Sequence, residues 1–389
     1  MSREVVIVAY GRSAICKSRK GAFSKTHPIE YCAQVLNGVL AKVPQLKPEQ
    51  IEDVIMGCAV QHNGTSMNIA RNVVLRAGLP DSVSGHTLNR FCSSGLQAIA
   101  TANNAILANQ GDVIVAGGVE DMTGTFAPYP IEVMDPWLVQ NERGAYIPMG
   151  ITAENVVKDY GLTRQEMDQM AVESNAKAAK AQAEGKLAPS IIPVTVIGPD
   201  GNEITVTEDE GIRPGTTLES LATLKPCFIP AENGGSVTAA TSSQTSDGCA
   251  FVVLMEKSKA EELGIKPIAK MASFAVAGCD GTRMGLGPIY AVPKAMQRAG
   301  LTVDDMDVIE INEAFAAQSI PCIRELKMDP KKVNPYGGAL ALGHPLGCTG
   351  AFLTCKVLDY LQDNNAKYGL VTMCIGGGMG AAGIFELVK

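Results

Sequence analysis

Eleven cysteines and four histidines could serve redox, metal or nucleophilic chemistry, and their spacing decides among these. Cys92 lies in "NRFCSSGLQAIATANNAIL", where a turn gives way to apolar residues at helical spacing: Leu96, Ile99, Ala100, Ala102, Ala105 and Ile106. The unpaired N–H groups and positive dipole end of a helix start favour a thiolate, the nucleophilic form of cysteine. His344, in "GGALALGHPLGCTGA", sits in a tight turn before a second helical pattern. Asn312, in "NEAFA", follows the strand-like run at Val308-Ile309. Cys374, in "CIGGGMGAA", ends another such run, and the N–H groups of the glycines behind it, Gly376 among them, can approach a ligand closely. Each residue alone has a bland reading: a buried cysteine, a satisfied histidine, a turn asparagine. Together they supply a nucleophile, a base, a second acid/base and donors for an oxyanion. No pair of cysteines forms C-x-x-C and no two histidines stand at ligand spacing, so neither a disulfide framework nor a metal site is expected.

The elements that must hold these residues are legible in outline. The 389 residues are 46% hydrophobic but only 5% aromatic, with 40 glycines, so cores must be built from small aliphatic side chains at close backbone approaches. That composition suits layered α/β packing. A net charge of −7 argues against nucleic-acid binding, the one basic cluster being "CKSRKGAFSK" at Cys16 to Lys25. No apolar run reaches the roughly 20 residues of a membrane span, and the first residues carry no signal-peptide pattern, so a cytoplasmic location with reduced thiols is expected. The chain also echoes itself. "LKPEQIEDVIMGCAVQ" (Leu46 to Gln61) matches "LTVDDMDVIEINEAFAAQ" (Leu301 to Gln318) in order of turn, strand and small-residue loop. Downstream, Cys92-Ser-Ser-Gly and "GCTGAFLTCKVLDYL" each lead into a helix, and "GDVIVAGGVEDM" and "YGLVTMCIGGGMGAAGIFEL" each give a strand meeting glycines. Two similar α/β halves follow, with the four polar groups at strand–helix junctions on one end. Between them a segment rich in long loops carries its own helix, Thr163 to Lys186, with Met167, Met170, Ala171, Ser174 and Ala178 on one face. Loops that long usually bind something.

The four motifs, in this order and at these distances over the whole chain, closely resemble the thiolases. "IPMGITAENV", "DEGIRPGTTLESLATLKPCF" and "MGLGPIYAVPKAM" are most similar to degradative 3-ketoacyl-CoA thiolases (acetyl-CoA acyltransferases) of the peroxisomal and bacterial type. The resemblance implies a duplicated α/β fold layered αβαβα, with an N-terminal domain at 1–119 and 249–268, a CoA-binding loop domain at 120–248 and a C-terminal domain at 269–389. It implies thiolytic cleavage of 3-ketoacyl-CoA through an acyl-Cys92 intermediate. His344 is then the base, Cys374 the second acid/base, Asn312 the holder of a water, and the N–H groups of Cys92 and Gly376 an oxyanion hole. Met149 would lie beside the acyl group, Arg213 and Ser220 near the nucleotide, Phe228 and Phe315 along the pantetheine, and Ser243 at its amide. CoA is a substrate, no metal or redox cofactor is needed, and a homodimer or homotetramer is implied. The alternative is an acetoacetyl-CoA thiolase making acetoacetyl-CoA by Claisen condensation; such enzymes tend to carry histidine where this chain has Pro148. A 3-ketoacyl synthase would lack the second cysteine, and a non-catalytic acyl-CoA carrier would have lost one of the three reactive groups. Two departures from the family pattern are Ala240-Thr241, where Gly-Asn is usual, and Arg12-Ser13-Ala14-Ile15-Cys16 for the usual Arg-Thr-Pro-Ile-Gly.

Overall fold

The computed structural model describes residues 3–125 and 133–388. Its strands are β1 (Val5–Arg12), β2 (Cys16–Lys17), β3 (Asp53–Gly57), β4 (Ser84–Leu88), β5 (Val113–Asp121), β6 (Val194–Ile197), β7 (Glu203–Val206), β8 (Ser246–Glu256), β9 (Ala269–Gly278), β10 (Val308–Ile311), β11 (Tyr368–Ile375) and β12 (Met379–Leu387). In the first half the spatial order is β1-β8-β5-β3-β4, and in the second it is β9-β12-β11-β10. Corresponding neighbours pair with the same sense: β1 with β8 and β9 with β12 antiparallel, β5 with β8 and β11 with β12 antiparallel, β3 with β5 and β10 with β11 parallel. The echo in the sequence is therefore a repeat of topology. The two sheets touch edge to edge where Ile7 pairs with Ala269.

Alternation along β5 explains the layers. Ile114 and Ala116 point into one core, and Val113, Val115 and Val119 into another. Both faces are thus apolar, as in a sheet covered by helices on either side. The central core is built by the helices Ser94–Leu107 and Leu346–Asp363. Leu96, Ile99, Ile106, Phe352 and Leu358 meet Ile55 and Val252 of the first sheet and Val371, Met373 and Phe385 of the second. The helix Pro28–Leu40 covers the outer face of the first sheet through Val35, Leu36 and Val39. The helix Gly287–Ala299 covers that of the second through Ala291, Val292 and Met296. The expected αβαβα order is the result.

The intervening segment is an insertion within the first half and does not lie between the halves: it leaves the main sheet after β5, which runs to Asp121, and rejoins it at β8, which starts at Ser246. The borders expected at 120 and 248 cut into both strands; their buried charges, Glu120, Asp121 and Asp247, read as loop in the sequence although all lie on strands. The helix Arg164–Ala183 opens with a capping box between Thr163 and Glu166 and buries Met167, Ala171, Ser174 and Ala178, the expected face, with Met170 half-buried. A buried, bidentate Arg12–Asp209 pair at 2.7 and 2.9 Å ties this segment to the end of β1. Among the described residues no helix is long and apolar enough to cross a membrane.

Candidate active site

The turn at Cys92 is built by side chains that cap their own backbone. Phe91 adopts a left-handed conformation, φ 43°, which costs a residue bearing a Cβ about 1–2 kcal/mol. Its N–H donates to Asn89 Oδ1 at 2.7 Å, and its carbonyl accepts from Ser94 Oγ at 2.7 Å. Ser94 Oγ in turn accepts from the Arg90 N–H at 2.8 Å. These bonds over-determine the turn and hold Cys92 immediately before the helix Ser94–Leu107. Gly95 is needed for a different reason. A Cβ there would stand 2.7 Å from Ala351 N and 2.9 Å from Gly347 O, so the helix Leu346–Asp363 crosses backbone to backbone at this point. The junction that carries Cys92 is thereby seated against the helix that follows His344.

His344 is buried, with a 2.6 Å contact from Nδ1 to Thr349 Oγ1. Thr349 donates its hydroxyl proton to Pro345 O at 2.9 Å and must accept from the ring, so the proton sits on Nδ1. Nε2 keeps its lone pair and accepts from Asn312 Nδ2 at 3.2 Å. Among the described residues Asn312 Oδ1 is buried without a partner, an acceptor placed to hold a water. Asn312 is fixed in turn by its own N–H, which donates to Thr372 O of β11 at 2.9 Å.

Cys374, near the end of β11, is fully buried and close enough to Cys92 for a charge on one to oppose a charge on the other. The N–H groups of Gly376 and of Cys92 itself face the Cys92 sulfur. Beside Gly376 stand Met149 and Phe91: a Cβ on that glycine would lie 3.8 Å from the Met149 sulfur and 3.9 Å from the Phe91 ring. Phe228 and Phe315 meet edge to face, centroids 5.9 Å apart, and the backbone of Gly150 packs against the Phe228 ring. Ser243 donates its N–H to Ala314 O at 2.9 Å, which lays its loop along "NEAFA". Arg213 and Ser220 are exposed and keep to the intervening segment: Arg213 N–H donates to Asn175, and the Ser220 hydroxyl to Thr217 O. At the departure Ala240-Thr241, the Thr241 hydroxyl accepts from Thr238 N–H at 2.9 Å, and its carbonyl accepts from Ala316 N–H at 2.9 Å. The threonine thus closes the turn locally and still pins the loop to "NEAFA".

Comparison with known proteins shows the family. Residues 5–258 match the family description "Thiolase, N-terminal domain", and residues 265–387 match "Thiolase, C-terminal domain". The chain belongs to the thiolase family. It is 45% identical to the 3-ketoacyl-CoA thiolase of Bacillus subtilis, covering 99% of this chain and 100% of that one. It is also 45% identical to the peroxisomal 3-ketoacyl-CoA thiolase of Homo sapiens, covering 98% and 91%. Among solved structures, the dimeric peroxisomal thiolase of Saccharomyces cerevisiae superposes with a TM-score of 0.92 at 41% identity, covering 100% of this chain and 98% of that one. The acetyl-CoA acetyltransferase of Bacillus anthracis gives 0.91 at 37%, covering 100% and 99%.

Electrostatics in this thiolase differ from the expectation at one point. The helix start and the facing N–H groups of Gly376 and Cys92 do favour a thiolate, but burial outweighs them and pushes the Cys92 thiol up to about 11. Burial pushes Cys374 well above its usual range and His344 down to about 4. The resting site therefore holds two neutral thiols and a neutral imidazole. Thr349, which fixes the imidazole tautomer, went unrecognised in the sequence, although it stands five residues beyond the histidine in "HPLGCTG". Phe91 and Glu120 were missed as well: an aromatic beside a cysteine and an acid after Gly-Gly-Val carry no signal of their own.

The pH dependence has a definite sign. His344 stays neutral, and able to accept a proton, down to about pH 4, so the acid limb of kcat/KM should fall near there rather than near the ordinary histidine value of about 6.5. Alkylation of Cys92 by iodoacetamide in the free enzyme should keep rising toward pH 11. A half-maximal alkylation rate near pH 8.5 would mean that burial does not control this thiol.

Proposed function

We propose that the chain cleaves 3-ketoacyl-CoA with CoA to acetyl-CoA and an acyl-CoA two carbons shorter, with Cys92 as nucleophile and Cys374 as the second acid/base. The observation that carries this reading is the second buried thiol beside the first, with N–H groups of Cys92 and Gly376 aimed at the same sulfur. His344 Nε2 takes the Cys92 proton as the sulfur adds to the 3-keto carbon, whose oxygen is received by the two N–H groups. Collapse breaks the C2–C3 bond and leaves its electron pair as the enolate of acetyl-CoA. His344 and a water on Asn312 hold that oxygen, and Cys374 delivers its proton to C2. The Cys374 thiolate then takes the proton of incoming CoA, whose sulfur attacks the acyl-Cys92 thioester and expels the Cys92 thiolate, and this recovers its proton from His344. Atoms balance without a metal or a redox cofactor. One oxyanion donor of this kind is commonly worth about 2.7–4 kcal/mol.

CoA would run over the exposed segment past Arg213 and Ser220, with pantetheine between Ser243 and the Phe228–Phe315 pair and the acyl group at Met149. Eleven free thiols suit a reducing compartment, and a cytoplasmic location is the reading we favour. β4 ends the first sheet, with Met67 and Leu75, 85% and 49% exposed, on the elements that adjoin it. A second copy pairing there would give a homodimer, or a homotetramer built from two. Sedimentation at the mass of a single chain at micromolar concentration would exclude both.

Two measurements test the chemistry. Cys374→Ala should still accept an acetyl group from acetyl-CoA on Cys92, because that half-reaction moves no α-proton, while α-proton exchange and overall thiolysis should be lost; retained exchange would remove Cys374 from its role. Chain length separates the degradative reading from the acetoacetyl-CoA alternative. Each methylene buried beside Met149 should contribute up to about 0.8 kcal/mol, roughly fourfold in kcat/KM, until the pocket is full. Thiolysis of 3-ketohexanoyl-CoA should therefore match or exceed that of acetoacetyl-CoA, whereas a steep fall beyond four carbons would favour the alternative.

A further inference from the structure

The reaction makes no use of Glu120, yet this carboxylate is fully buried at the end of β5 with neither a lysine nor an arginine among the described residues bonded to it. Its four donors come from both halves of the molecule. Oε2 accepts from the Ala59 N–H at 3.0 Å and from the Gly347 N–H at 2.8 Å; Oε1 accepts from the Val60 N–H at 3.2 Å and from the Cys58 thiol at 3.6 Å. Gly347 lies three residues beyond His344, on the first turn of the helix whose Thr349 fixes the imidazole. There is no slack at this contact, since a Cβ on Gly347 would stand 2.7 Å from Ala59 N and from Val119 O.

From Ala59 the connection continues to the nucleophile. Ala59 O accepts from Asn89 Nδ2 at 2.8 Å, and Asn89 Oδ1 accepts from the Phe91 N–H at 2.7 Å. An unbroken run of hydrogen bonds therefore leads from the helix start that orients His344, through Glu120, Ala59 and Asn89, to the strained turn before Cys92. We propose that Glu120 and Asn89 are positioning residues that hold the base and the nucleophile, one from each half of the duplicated fold, in a single reactive geometry. Neither touches the reacting atoms. They act by fixing the approach of Nε2 to the Cys92 thiol, and misplacement by an ångström at such a distance can cost on the order of a hundredfold in rate.

The proposal rests on Cys92 as nucleophile and His344 as its base, and the test distinguishes the two claims. Full-length Glu120→Gln, Asn89→Ala and the double variant would be assayed with 3-ketohexanoyl-CoA and CoA, after locating the acyl label in the parent enzyme. We expect kcat to fall about tenfold or more in each single variant, with KM for CoA within about twofold. The double variant should be no worse than the poorer single by more than about threefold, since both changes break one path. The plateau rate of Cys92 alkylation at high pH, and the number of thiols reactive in the native protein, should match the parent, which loss of fold would not allow. Should Glu120→Gln expose further cysteines, Asn89→Ala and Asn89→Asp carry the test at an exposed position. The aspartate keeps the acceptor for Phe91 but has no proton to give Ala59, so it should lose kcat as the alanine does. Parent-like kcat in Asn89→Asp, or losses that multiply in the double variant, would overturn the link while leaving Cys92 and His344 in place. Acyl label on another residue would overturn both.

Discussion

The contact on which the rest of the structure depends is the crossing of two helix starts in the central layer. The helices Ser94–Leu107 and Leu346–Asp363 come from different halves, and at Gly95 and Gly350 their backbones approach too closely for any side chain. Each helix follows a reactive residue, Cys92 in one case and His344 in the other. Crossing them at their first turns is what converts two distant segments into one site. The apolar stripes of Leu96, Ile99, Phe352 and Leu358 then lock the crossing between the sheets. Core packing and catalytic alignment are here one constraint, and a larger residue at either glycine would break both.

A site made at such a crossing is dry, and dryness governs its chemistry. Removing water penalises every charged form, so the thiols are held neutral at rest and the imidazole basicity is suppressed. A preformed thiolate–imidazolium pair is correspondingly disfavoured. In the proposed mechanism, proton transfer is instead coupled to attack, at the moment when negative charge passes to an oxygen that the N–H groups of Cys92 and Gly376 would receive. The same dryness makes those donors strong, so the cost of burying Cys92 and the stabilisation of the oxyanion have a common origin.

This balance also explains what could be read from the sequence. Cys92, His344 and Asn312 stand out as candidates in the sequence because each precedes a helical pattern; Cys374 and Gly376 stand out at a strand end among glycines, although the structure puts them at the turn from β11 to β12 and not before a helix. The doubled topology was legible for a related reason: strand, helix and strand recur with the same small-residue endings. Burial was not legible. The helix-start argument for a Cys92 thiolate was sound in sign but blind to desolvation, which depends on a helix more than two hundred residues away. Glu120 falls at the expected border of the intervening segment, whereas its carboxylate finds its donors at Ala59 and Gly347, which no local window contains. Thr349 likewise acquires meaning only once the helix turns its hydroxyl toward His344.

The duplication further shows how one topology divides its labour. β5 and β11 hold equivalent places in the two sheets, and both end at the crossing. Near the end of β5 stands Glu120, which binds backbone donors from both halves; near the end of β11 stands Cys374, which faces the nucleophile. The side chains are not interchangeable. A carboxylate at Cys374, even pushed up to about 7 as burial does to Glu120, would be substantially ionised at neutral pH and would oppose the anion developing on the acyl oxygen. In the proposed reaction a thiol there stays neutral until the enolate takes its proton and becomes an anion only when that charge has gone. A thiol at Glu120, conversely, could not accept several N–H groups at once with the directionality of two oxygens. The halves have kept the scaffold in common and differ at this strand end, where, on the roles proposed above, one residue type organises the junction and the other moves the proton.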